Sequence, residues 1–142
     1  MPTTTAAITI TNDIGSSTTS VLKTMTLTKA ASATLGMDTL LSVSKVLSSV
    51  TQVDLVAAAS AGSTTHNFLY INNPSTNPAE FFTLALGDDP WAGSAKSTDE
   101  ELGKLYGGDW MMVPWGAANV SSDIMITPSV ATDMTVEFMV FS

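Results

Sequence analysis

The chain has 142 residues, a formal net charge of −8, five lysines and no arginine. Arginine and lysine recognise phosphate groups, so this charge argues against nucleic acids and anionic membranes as partners. The chain has no cysteine, which excludes disulfides and thiolate metal sites. The hydrophobic content of the chain is 44%, which is too high for a disordered chain. The length of the chain predicts a single domain spanning residues 1–142.

The N-terminal third combines a polar arm with alternating strands. Residues 1–7 are predicted to form a short extended arm, and they lack the basic and then apolar order of a secretory signal. We therefore expect synthesis in the cytoplasm. No window reaches the roughly 20 apolar residues of a transmembrane helix. Ile8 and Ile10 then alternate with threonines, and residues 21–29 repeat that pattern, which predicts two half-buried strands.

Residues 35–50 allow two interpretations. Leu40, Val43, Leu47 and Val50 follow a helical spacing, and a preceding aspartate at position 38 could cap such a helix. The same stretch is rich in serine and β-branched valine, which favour strands and loops. We predict a strand followed by a loop.

The C-terminal half has the clearer strand pattern. Residues 68–71 are apolar on both faces, which is typical of a central strand, and residues 72–78 are dense in turn-forming asparagine and proline. Alternating strands follow at residues 82–86, 110–115, 124–127 and 134–140, with a long acidic loop predicted over residues 88–104. Turn signals recur about every ten residues, which predicts an all-β, antiparallel, jelly-roll-like β-sandwich of about eight short strands.

The strongest alternating rows give a predicted core. Its members are Phe68, Tyr70, Phe82, Leu84, Trp110, Ile124, Ile126, Val136 and Phe138.

Reactive side chains form no convincing catalytic set. His66 is the only histidine, and with serine and aspartate so common here, a Ser–His–Asp triad has little support. Carboxylates cluster at residues 88–89 and 99–101; a solvated acidic loop explains them best, with calcium ligation or a glycosidase pair as weaker alternatives. We predict no catalytic residue, no cofactor and no metal.

Aromatic residues and methionines suggest an interface instead. Trp91 lies in the acidic loop beside Pro90, where an exposed anchor is plausible. Trp110 and Trp115 differ by five positions, so a regular strand places them on opposite faces; core packing is the simpler role for each, yet at least one should lie outside the main core. The apolar residues opposite the main rows suggest a homo-oligomer. The predicted interface anchors are Trp91, Met125, Met139 and Phe141.

Several segments in residues 65–142 together resemble small structural proteins of tailed-bacteriophage particles. These segments are residues 67–73, 81–87, 102–105, 107–110, 113–115 and 134–138. The likeness is one of overall style more than of a diagnostic motif, and residues 1–64 add only a Ser/Thr-rich strand pattern.

The resemblance implies a non-enzymatic virion protein, assembled in the host cytoplasm. Its leading form is a capsid decoration (cement) protein that binds and stabilises the shell of the major capsid protein, commonly as a trimer. A tail or fibre component would share the fold and stays open, as does a carbohydrate-binding sandwich module. The resemblance supplies no catalytic residues.

Overall fold

The computed structural model describes residues 4–12, 19–29, 35–37, 40–61, 63, 65–87, 100–118 and 122–142. These residues form ten β-strands and one short 3-10 helix at Ala58–Ser60, and none of them belongs to an α-helix. The strands are β1 (Thr4–Asn12), β2 (Thr19–Leu27), β3 (Leu40–Leu47), β4 (Val53–Val56), β5 (Asn67–Asn72), β6 (Phe81–Gly87), β7 (Glu100–Tyr106), β8 (Trp110–Trp115), β9 (Asp123–Pro128) and β10 (Met134–Phe141). The predicted all-β fold is confirmed, with ten strands instead of about eight.

The chain divides into two compact units, residues 1–38 and residues 39–142, where the sequence predicted one sandwich over residues 1–142. In the first unit, β1 and β2 pair antiparallel over nine residues in unbroken register. Residues 1–3 of the predicted arm lie outside the described residues, and residues 4–7 belong to β1.

The second unit contains two four-stranded antiparallel sheets. The first sheet has the order β3-β10-β5-β8, and the second sheet has the order β4-β9-β6-β7. The pairings are nested, because β3 pairs with β10, β4 with β9, β5 with β8 and β6 with β7. Such nesting is what a long hairpin gives when it is rolled up, and this strand order is that of a jelly roll.

The core lies between these two sheets and takes alternate residues from each strand. Six of the nine predicted core residues are buried there, namely Phe82, Leu84, Ile124, Ile126, Val136 and Phe138. The prediction was wrong for Trp110, which is 51% exposed. It was wrong also for Phe68 and Tyr70, which are only half-buried, because their strand turns Leu69 and Ile71 inward instead.

Buried asparagines fix both ends of β5. The Asn67 amide donates to the backbone carbonyls of Ser63 and Trp115, at 2.6 and 3.3 Å. The Asn73 amide donates to the carbonyls of Leu105 and Glu80, at 3.1 and 3.3 Å. Because each amide is fully buried and bonded, the loops at both ends of the strand are held in one arrangement.

The structure tests two local predictions, one for residues 35–50 and one for the acidic loop. Residues 40–47 form a strand, so the preference for strand plus loop over a helix is confirmed within the described part of residues 35–50. The predicted acidic loop at residues 88–104 is shorter at its C-terminal end, because Glu100 already begins β7. No helix in the described ranges has the length and apolarity needed to cross a membrane.

Candidate interaction surface

The outer face of the first sheet is built from side chains that point away from the core. Since the strands alternate, the residues beside the buried ones turn outward. The registers place them in three rows across β3, β10, β5 and β8. The rows are Leu40, Phe141, Phe68 and Pro114; then Ser42, Met139, Tyr70 and Met112; then Ser44, Glu137, Asn72 and Trp110.

This outer face is apolar and carries little charge. Leu40 is 57% exposed, Trp110 51% and Met139 37%. The side chains between them are half-buried against one another: Phe68, Tyr70, Met112 and Phe141. Glu137 is the charged residue of the three rows, and it accepts a hydrogen bond of 3.0 Å from the Asn72 amide. A contiguous group of this kind is typical of a contact surface, whereas scattered apolar residues are not.

The aromatic rings on this face lie close together. The rings of Tyr70 and Trp110 have centroids 6.0 Å apart and are tilted by 34°. At the opposite end, the His66 ring meets Phe68 edge-on, with a centroid separation of 5.1 Å. Aromatic pairs at these separations stabilise each other beyond their buried area, so the rings form a continuous aromatic surface.

The outer face of the second sheet is different. Phe81 faces outward there, but the Tyr106 ring lies 5.1 Å away and the Lys104 ammonium stands 4.6 Å from the Phe81 ring centroid. This cation–π contact covers the apolar ring with a charge. Met125 and its neighbour across the register, Ala85, are both buried. The second sheet therefore presents fewer bare apolar side chains.

The predicted anchors are placed unequally. Met139 and Phe141 lie together on the outer face of the first sheet, in adjacent rows. Met125 is in the second sheet and fully buried. It is therefore not available for contact on the surface of this chain, and its prediction as an interface anchor is corrected. Trp91 lies outside the described residues. Sequence reasoning missed Phe68, Tyr70 and Trp110 as surface residues, although the two-sided apolarity of residues 68–71 was the signal that some of them had to face outward.

Reactive groups in the described part of the chain do not converge. His66 packs against Phe68, and no cluster of three or more His, Cys, Asp or Glu residues among the described residues could hold a metal ion.

A cavity of about 160 Å³ opens between β7 and β8, lined by Leu84, Leu102, Gly103, Lys104, Leu105 and Met111. Its lining contains a single titratable group, Lys104, whose ammonium is engaged with Phe81.

Asp123 illustrates a buried carboxylate with a structural role. It is buried in β9, and its Oδ1 accepts a 2.6 Å hydrogen bond from the backbone N–H of Ala58. That N–H begins the short 3-10 helix, where a backbone donor needs an acceptor. The carboxylate therefore ties the 3-10 helix to β9.

Comparison with protein-family models, curated protein sequences and solved structures gives no significant match. The apolar outer face of the first sheet is therefore the main guide to function.

Proposed function

We propose that this protein is a non-enzymatic structural protein of a tailed-bacteriophage virion, and that it decorates the capsid by binding the major capsid protein through the outer face of the first sheet. The carrying observation is the three-row apolar surface on β3, β10, β5 and β8. A jelly-roll body is an architecture that viral structural proteins use. The sequence resemblance to phage structural proteins supports the same assignment.

The chemistry of the surface fits a protein partner. Interface cores are enriched in aromatic residues and methionine and depleted in charge, and this face combines Phe, Tyr, Trp and Met with the single carboxylate of Glu137. The rings of Tyr70 and Trp110 already lie beside each other in the free chain, so a partner would meet a preformed aromatic pair. Trimeric assembly and a place in the virion come from the resemblance.

The test is binding to capsid shells of the phage that encodes the protein, prepared without it. We expect the unmodified protein to co-sediment with the shells in a fixed ratio to the major capsid protein. Met139→Glu, which places a charge on the outer face, should abolish co-sedimentation. Leu102→Glu is the matched control, because Leu102 is 47% exposed on β7 in the other sheet and should bind normally. Equal binding by both variants would show that the outer face is not the contact.

Carbohydrate binding is a second candidate, favoured by the exposed ring pair of Tyr70 and Trp110. Flat aromatic side chains can stack on sugar rings, and jelly rolls also occur in lectins. A calorimetric titration with oligosaccharides distinguishes the two functions. A saturable response lost in Trp110→Ala and retained in Met139→Glu would favour sugar binding, and no response to glycans would leave the capsid function in place.

A further inference from the structure

Strand edges differ in how well they are protected against pairing with another chain. Free edges commonly carry charges, proline, bulges or very short strands. In the second unit, β7 has a register shift and the charged residues Glu100, Glu101 and Lys104. β8 contains Pro114, and β4 has only four residues with a register shift. Three of the four edge strands therefore carry a protecting feature.

The fourth edge strand, β3, is long, regular and apolar. It pairs with β10 over eight residues without a register shift, and it exposes Leu40, Leu41 and Val46. Its single charge, Lys45, is half-buried and donates a 2.9 Å hydrogen bond to the backbone carbonyl of Asp54 on β4. The ammonium is thus held across the two sheets on the inner face, and β3 has no charge on its outer face.

A second unprotected edge lies in the other unit. β1 contains neither charge nor proline and pairs with β2 over nine residues in unbroken register. Its partner β2 carries Lys23. Ile8 and Ile10 of β1 and Met25 of β2 share one face of this two-stranded sheet, and all three are exposed. The edge of β1 away from β2 has no partner among the described strands, and a further strand there would pair its backbone groups.

The charge distribution leaves the hairpin edge free of electrostatic repulsion. Residues 1–38 contain two lysines and two aspartates, so the whole net charge of −8 resides in residues 39–142. Repulsion between two copies therefore acts between their acidic bodies, and the neutral hairpin adds nothing to it. Within one chain, β1 pairs only with β2 and β3 pairs only with β10 among the described strands.

We propose that β1 of one copy adds to the free edge of β3 in a second copy, as an antiparallel strand. Every other strand pairing in the described chain is antiparallel, and strand addition to an exposed edge is an established mode of recognition. The contact joins two different surfaces, so it is head-to-tail and generates a ring when the rotation closes. It is independent of the virion assignment.

Cross-linking between single-cysteine variants tests this pairing, because the natural chain has no cysteine. A tagged Thr9→Cys chain is mixed with an untagged Ser44→Cys chain and treated with a short bismaleimide, which tolerates a shift of one residue pair. Ile8→Cys replaces Thr9→Cys in a parallel reaction, so that both faces of β1 are sampled. We expect a tagged–untagged heterodimer on a denaturing gel with at least one face, and little homodimer of either variant.

Two further measurements make the result decisive. Val46→Lys, built into the Ser44→Cys chain at a 59% exposed position of the same strand, should remove the heterodimer, and Ser44→Lys should lower the mass of the free protein in sedimentation. Thr132→Lys, the same kind of change in an exposed turn, should alter neither. Circular dichroism of each variant confirms that the β fold is retained. The proposal is overturned by homodimers as abundant as heterodimers, or by a heterodimer that is unchanged when Val46→Lys is present in the Ser44→Cys chain. A Thr9→Cys/Ser44→Cys double variant that closes only within one chain also overturns it.

Discussion

Trp110 and Trp115 show how position along one strand decides the fate of a residue. Both are on β8, five positions apart, and they face opposite sides of the first sheet, as the alternation predicts. Trp115 is buried in the core and its indole N–H donates a 2.7 Å hydrogen bond to the carbonyl of Ser122. Trp110 is half exposed beside Tyr70. The same residue type therefore packs in the core at one position and lies on the proposed contact surface at the other.

The two tryptophans give a matched prediction. Trp115→Ala should lower the free energy of unfolding by about 3–5 kcal/mol, the usual cost of truncating a buried aromatic residue, with the loss of its hydrogen bond included. Trp110→Ala should change it by less than about 1 kcal/mol, because the exposed ring buries much less area. Urea unfolding followed by circular dichroism measures both. Equal losses in the two variants would contradict the assignment of the two faces.

Within a single strand, the sequence shows which residues lie on the same face. It predicts less well which of the two faces is buried. In β10, Val136 and Phe138 alternate with the exposed Glu137, so the polar residue identifies the outer face and the core prediction is correct. In β5, Phe68, Leu69, Tyr70 and Ile71 are all apolar. The prediction assigned the row of Phe68 and Tyr70 to the core, but Leu69 and Ile71 face the opposing sheet instead, and no local pattern reveals this choice.

The turn between β7 and β8 depends on close backbone approach. Gly107 lies in this turn, and a Cβ atom built on it would collide with the backbone oxygen of Asn77. Gly108, beside it, has a φ of +87°, in the region that favours glycine. Its N–H donates a 2.9 Å hydrogen bond to the carbonyl of the buried Asn73. The turn is therefore packed directly against the loop that follows β5.

Gly107→Ala should destabilise the protein by about 1–3 kcal/mol, the range seen for overpacking, because the contacted atoms are backbone and cannot move independently. Gly116→Ala is the matched control, since its added Cβ would meet the Thr65 oxygen at an ordinary 3.5 Å. Thermal unfolding of both variants checks this. A Gly107→Ala protein as stable as the Gly116→Ala protein would mean that the two loops are farther apart than described.

For the whole molecule, strand spacing predicted the fold class but not the division of the chain. Short strands separated by turns are sufficient to predict an antiparallel sandwich. They contain no information on which strands pair across 60 or more residues, and β4 with β9 or β3 with β10 are such pairs. The separate hairpin of β1 and β2 was also beyond prediction, because its alternation of isoleucine and threonine is what any half-buried strand shows.

Whole-molecule charge leads to a prediction about self-association. The net charge of −8 belongs to residues 39–142, while the surfaces proposed for contact, the β1 and β3 edges and the outer face of the first sheet, are nearly uncharged. Bringing copies together therefore costs repulsion between bodies and gains no ion pairs. The Debye length, over which charges act on each other, is about 30 Å at 0.01 M salt and about 8 Å at 0.15 M. Added salt therefore weakens the repulsion between copies and leaves the apolar and strand contacts intact.

We therefore expect the weight-average mass in sedimentation to rise when sodium chloride is raised from about 0.01 to 0.15 M at fixed protein concentration. Sodium chloride at this concentration is too dilute to strengthen apolar contacts appreciably. Sodium sulfate at the same ionic strength is the control, because sulfate strengthens the burial of apolar surface in addition to screening charge. An equal rise in mass in both salts would identify charge screening as the cause. Ser44→Lys should show a smaller rise, since its edge contact is blocked. Dissociation on adding salt would mean that opposite charges hold the copies together, and a mass of one chain at every concentration would rule out self-association altogether.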